Sequence, residues 1–184
     1  NIQYLCKQFS DSLQFISSKE YYPYIEGILN VLINIAGTKK GSNILLKMLT
    51  IEKLTNISLS ANISDDLYEG SKRSSLHIIW CLSMELLVQM YNTVFSSQFN
   101  DSKEVNFQEQ LSSLTQEMLD RICEFVCAHQ NRILRVTETC FSQDLTYASL
   151  LELNILVKLL FELARSKKLY HNAPLVNGLL SCMI

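Results

Sequence analysis

At 184 residues, with a formal net charge of −2, the chain lacks the basic surplus that draws in nucleic acid or an anionic membrane surface. An apolar fraction of 48% over this length suits one domain that buries about 70% of its unfolded surface and needs no staples. Five glycines and two prolines, far below the average share of about 12%, predict long helices with few connections.

Ile2 to Ser17 places apolar residues at 2, 4, 5, 9, 13 and 16, a first amphipathic helix. Pro23 suits the first turn of a second helix, Pro23 to Ala36, which is apolar on most sides. Gly37 reads as its C-cap and Ser42 as the N-cap of a short helix from Asn43 to Leu49. Another short helix follows from Ile51 to Leu59, and Ser60 to Arg73 is a polar gap.

Ser74 to Phe95 is the longest apolar run. At 1.5 Å per residue it spans about 33 Å, enough for a membrane. His77, Glu85, Gln89 and Asn92 interrupt it and no basic flank orients it, so a core helix anchored by Trp80 is the better reading. Ser96 to Phe107 reads as a loop.

Leu111 to Val136 is the stretch around which the chain is expected to organise, with apolar residues mostly three and four apart. Ala128 to Asn131 breaks the pattern, which predicts one helix folding back into the next. Ser142 to Tyr147 is a connection in which Asp144 can cap the helix Ala148 to Ala164. Lys158 and Glu162 are spaced to pair there, and Arg165, Lys167 and Lys168 sit near the negative helix end. Asn172 and Pro174 open a last helix towards Ile184. The total is eight to ten helices, no strand and no crisp repeat.

The six cysteines, at 6, 81, 123, 127, 140 and 182, mostly lie in apolar runs, as small hydrophobes do. They form no disulfide framework, which favours a reducing compartment. The sequons Asn56-Ile57-Ser58 and Asn62-Ile63-Ser64 matter only in a secreted chain. A start at Asn1 rather than Met suggests a piece of something larger.

Chemistry-bearing residues are few. Gly37 to Ser42 has its glycines four apart with no Lys-Ser/Thr after the second, so it is an interhelical turn rather than a phosphate loop. Cys123 and Cys127 share a helix face, but His129 lies about 200° round from Cys127, so no metal is expected. His77 on an apolar face reads as a core histidine, and Cys–His catalysis finds no support in the three histidines at 77, 129 and 171. The acid pairs Asp65–Asp66 and Asp120–Glu124 fall in a loop and on a solvent face, without the burial that acid–base work requires. Tyr21, Tyr22 and Tyr24 read as packing at a helix start. No enzyme, cofactor or small-molecule ligand is expected.

Phe125-Val126-Cys127-Ala128-His129-Gln130-Asn131-Arg132-Ile133-Leu134 resembles a segment of the large scaffold nucleoporins, in which a helix ends in Phe-Val-x-x-His-Gln-x-Arg. Phe125, Val126, His129, Gln130 and Arg132 match that pattern position for position. Leu150-Leu151-Glu152 followed by Ile155 to Leu160 is similar to the family's next helix, and the Trp80 helix to a Trp-bearing one upstream. The likeness covers about Trp80 to Ala164 and is nearer the nucleoporin-188 type than the nucleoporin-205 type. It implies a C-terminal stretch of an irregular, HEAT/ARM-like α-solenoid of stacked antiparallel helix pairs, residues 1–184 forming one segment of a longer superhelix. It further implies a scaffold of the nuclear pore inner ring, at the nuclear envelope. Such a scaffold holds helical segments of other nucleoporins and supports protein and mRNA transport. The matched residues then serve a turn, with His129, Gln130 and Arg132 satisfying helix-end carbonyls. The rival expectation is a karyopherin-like transport receptor binding phenylalanine-glycine repeats or a small GTPase.

Overall fold

In the computed structural model of the chain, residues 2–64, 67–101, 113–139 and 145–165 are described. The described residues contain eight α-helices: α1 Ile2–Leu13, α2 Tyr22–Ala36, α3 Lys39–Lys47, α4 Thr50–Asn56, α5 Ser75–Asp101, α6 Ser113–Ala128, α7 Gln130–Thr139 and α8 Tyr147–Arg165. The fold is all-α, as the apolar periodicity predicts. The one exception lies in the first polar gap, where β1 (Tyr68–Glu69) pairs antiparallel with β2 (Lys72–Arg73), Tyr68 opposite Arg73 and Glu69 opposite Lys72. Gly70 makes the turn at φ +66°, where glycine pays no steric penalty. No strand is expected there from the sequence, because two residues are too few to show alternation.

The helix at the centre is α5, not the stretch from Leu111 to Val136. It packs against α2, α3, α6 and α8. Leu76, Ile79, Met84, Leu87, Met90, Tyr91 and Val94 are buried around its circumference, and Trp80 is its largest fully buried side chain. By length and composition alone α5 resembles a membrane span, yet 67% of its most apolar window is buried within the fold. It is a core helix, and α6 and α7, each with an exposed side, pack onto it and its neighbours. Its backbone stays helical to Asp101, through residues expected to form a loop. Polar residues cost a helix only a few tenths of a kcal/mol each, so the polar composition of that stretch does not end it.

The break at Ala128 to Asn131 is a corner. His129 alone separates α6 from α7, fewer than the two to five residues of an antiparallel helix hairpin. Beyond the corner the two helices find different neighbours: α6 packs on α4 and α5, and α7 packs on α8, while α6 and α7 also touch each other.

The α2–α3 corner also differs from expectation. Thr38 rather than Ser42 caps α3, accepting from the Gly41 N–H at 3.0 Å. Ser42 lies buried inside the helix and donates to the Ala36 carbonyl at 2.7 Å. Gly41 sits so close to α2 that a Cβ there would lie 1.9 Å from the Ile35 carbonyl oxygen. Between α3 and α4, Leu49 takes φ 56°, a left-handed conformation rare for a branched side chain. Thr146 caps α8 in a reciprocal box: its N–H donates to Ser149 Oγ at 2.9 Å, and the Ser149 N–H donates to Thr146 Oγ1 at 3.2 Å. Asp65–Asp66, Cys140, Asp144, Lys167, Lys168, His171, Cys182 and the helix expected from Asn172 lie outside the described residues.

Candidate functional site

Among the described residues, one cluster of titratable and aromatic groups is buried where α5, α7 and α8 meet. His77, Trp80 and Cys81 are three and four residues apart on α5 and so share one face. Arg132 enters from α7, and Glu152 from the buried side of α8 beside Ala148, Ile155, Leu156 and Leu159. Glu152 is 1% exposed and Arg132 7%, so neither charge reaches water to any extent.

The Glu152 carboxylate is the hub. Its Oε1 accepts from Trp80 Nε1 at 2.6 Å and Arg132 Nε at 2.9 Å. Its Oε2 accepts from Arg132 Nη2 at 2.7 Å and His77 Nε2 at 3.1 Å. The arginine thus grips both oxygens in the planar fork that only a guanidinium supplies. Burial pushes the Glu152 carboxyl up, but hydrogen bonds from His77 and Arg132 and the guanidinium charge outweigh it, leaving it below its ordinary 4.5. Glu152 is therefore an ionised acceptor facing four N–H groups from three residues, and one arginine balances its charge.

Cys81 Sγ lies 3.6 Å from His77 Nε2, a distance that invites comparison with a thiol–imidazole nucleophile. The chemistry does not follow. His77 directs its Nε2 proton at Glu152, so that nitrogen has no lone pair to take a proton from sulfur. Burial, with the Glu152 charge second, pushes the Cys81 thiol up to about 12, and an unionised thiol is neither nucleophile nor metal ligand. The arrangement joins three helices through buried side chains.

The helix corner forms the flank of this cluster. Phe125 stacks on Trp80 with centroids 5.6 Å apart, and His129 meets both rings edge-on, at 5.2 Å from Trp80 and 4.6 Å from Phe125. The imidazole also ties α6 to α4. Its Nε2 donates to the Leu54 carbonyl at 3.2 Å, and its Nδ1 accepts from Ser60 Oγ at 2.7 Å. One neutral tautomer satisfies both bonds, and burial holds His129 below its ordinary 6.5. Both of its nitrogens are engaged there, and the described residues contain no group of three that could hold a metal ion.

Of the residues singled out from the sequence, Trp80, Phe125, Val126, His129 and Arg132 are all buried, and Gln130 is exposed on the first turn of α7. His129 bonds a helix-end carbonyl, but that of Leu54 on α4 rather than one across its own turn. Arg132 does not; it grips a carboxylate on another helix. Sequence reasoning missed Glu152 as that partner, together with the roles of His77 and Ser60. A signal for Glu152 existed: it shares a helical face with Ala148, Ile155, Leu156, Leu159 and Leu163, and an acid on an apolar face requires a cation.

Outside the core, a shallow open hollow of about 510 Å³ lies along the solvent side of α6, lined by Gln116, Glu117, Asp120, Arg121 and Glu124. Arg121 bridges Glu117 at 2.7 Å and Glu52 on α4, so its one cation is already paired. Asp120 and Glu124 are exposed, the setting expected for a solvated pair. Comparison with protein families, curated proteins and solved structures finds no match to this chain.

Proposed function

We propose that this chain is a stretch of α-solenoid acting as a non-catalytic scaffold, of the large inner-ring nucleoporin kind and nearest the nucleoporin-188 type. One observation carries the reading. Phe125, His129 and Arg132, which bear the resemblance, are buried where helices meet and stack on or hydrogen-bond to residues of neighbouring helices. The order of packing supports it too. α5 touches both α2 before it and α8 after it, and α4 touches α6, as expected of two helical layers growing along the chain.

On this reading, grooves between stacked helices take apolar stripes of helical segments from other nucleoporins, at the pore in the nuclear envelope. Protein and mRNA traffic then depends on the chain as a structural part. The test is capture of helical linker segments of inner-ring nucleoporins by the full-length parent, with imaging of the tagged parent in cells. Binding together with a nuclear-rim signal is the expected result. No binding, or saturable binding of phenylalanine-glycine repeats or a small GTPase instead, would overturn it.

A further inference from the structure

Helix α8 is apolar on more than the side it buries. Ala148, Ile155, Leu156, Leu159 and Leu163 face the core. Tyr147 (74%), Leu150 (48%), Val157 (55%) and Phe161 (62%) are exposed, as are Asn154 and Ala164. These six positions are spaced three, four, three, four and three apart, the a and d positions of a seam that packs against another helix. Single exposed side chains such as Tyr4 or Leu49 need no explanation. A continuous stripe along a whole helix does.

We propose that this stripe seats a second copy of the chain, with α8 packing antiparallel on its own symmetry mate. The stripe complements itself when reversed. Tyr147 then faces Ala164 of the copy, Leu150 faces Phe161 and Asn154 faces Val157, and the two-fold axis repeats each contact with the copies exchanged. This register uses all six positions and sets the bulk of Tyr147 against the smallest side chain. Sliding the copies by one heptad either way leaves Phe161 or Tyr147 without a partner in the stripe. Asn154 lies about 4.5 Å along the axis from its symmetry mate, near enough for the two amides to pair, and a lone asparagine in an apolar seam fixes register and oligomeric state. Lys158 is exposed beside the stripe, where its stem can lie along the seam with its charge in water. Area agrees with a weak dimer. On a full area of about 200 Å² per ring, the exposed parts of Tyr147 and Phe161 come to about 270 Å². With the other four positions and the half-buried Leu153 and Leu160 beside them, two copies bury on the order of 1,000 Å² between them, the lower limit of a specific contact. The inference rests on α8 alone and stands or falls separately from the nuclear-pore reading.

Sedimentation velocity of the 184-residue chain from about 5 to about 500 µM covers the range in which so small an interface associates. The average mass should rise with concentration towards that of two copies. Leu150→Lys alone, or Phe161→Glu alone, places an unpaired charge in the seam and should raise the dissociation constant about tenfold or more. Carried together in one chain, the two substitutions should recover at least about threefold of that loss, because the antiparallel register sets the new charges opposite each other across the seam. Both positions are exposed in the single chain, so the urea midpoint read from Trp80 fluorescence in dilute solution should match the parent in all three variants. A chain that stays monomeric over the whole range would overturn the inference. So would self-association that either single substitution leaves unchanged, or a double variant no better than the singles, the result for a parallel pairing.

Discussion

Replacing Arg132 by methionine strips the Glu152 carboxylate of its counter-charge and of two hydrogen bonds, at 2.9 and 2.7 Å, while keeping most of the side-chain volume. Hydrogen bonds to charged groups contribute about 1.5–3 kcal/mol each, and breaking a buried ion pair costs about 3–5 kcal/mol. The two bonds together give about 3–6 kcal/mol, which overlaps the ion-pair figure of about 3–5 kcal/mol. In a chain of this size each kcal/mol moves Tm by about 2–4 °C, so Arg132→Met should melt roughly 6–20 °C lower. Glu152→Gln alone should cost a similar amount, because it strands the guanidinium. The double variant should recover most of the loss: a neutral amide still accepts from Trp80 Nε1 and can donate to His77 Nε2, leaving about 1–2 kcal/mol. Urea titration of all four proteins can follow Trp80 fluorescence, the chain having one tryptophan seated on the Glu152 carboxylate. The coupling should reach about 2 kcal/mol or more. A loss under about 1 kcal/mol for Arg132→Met, or single-variant losses that simply add in the double, would refute the assignment of this pair as the joint of α7 and α8.

Three further outcomes follow from the same geometry. Gly41→Ala should cost about 1–3 kcal/mol by overpacking, against the roughly 1 kcal/mol that alanine gains in an open helix, because its Cβ meets the Ile35 backbone; chemical denaturation reads the sign. Leu49→Gly should stabilise by about 0.5 kcal/mol, since relief of a left-handed residue (about 1–2 kcal/mol) exceeds the added freedom of the unfolded chain, and the half-exposed leucine gives up little burial. For pH, His129 is held neutral below its ordinary 6.5, so the unfolded chain binds its proton first. Stability should be level above about pH 7 and fall as pH drops through 6.5 towards the folded value; His129→Asn should remove that slope in denaturation profiles. Glu152 is depressed from 4.5, so its contribution is full above that pH and is lost only as pH falls further, through its folded value.

The spacing of apolar residues made most helices legible because burying a helix face imposes a three-to-four period on the chain itself. Trp80 and Pro23 could be placed for the same local reason: one is too large to leave the core, the other fits a helix start. Local rules failed where distant elements intervene. Ser42 has the chemistry of a cap, yet Gly41 presses against Ile35, so α3 starts earlier and Thr38 takes the cap. His129 was readable as the end of a helix but not as the tie from α6 to Leu54 and Ser60, which lie 75 and 69 residues away in the chain.

By itself the sequence determined that the chain folds as helices, and that α5 would be buried, since both follow from the composition and period of contiguous residues. Only the tertiary structure decided which helix is central and that Arg132 and Glu152 neutralise each other. It also left Tyr147, Leu150, Val157 and Phe161 of α8 exposed. A charge on an apolar face announces that it needs a partner, but not which of the many opposite charges the packing of helices will bring within three ångströms.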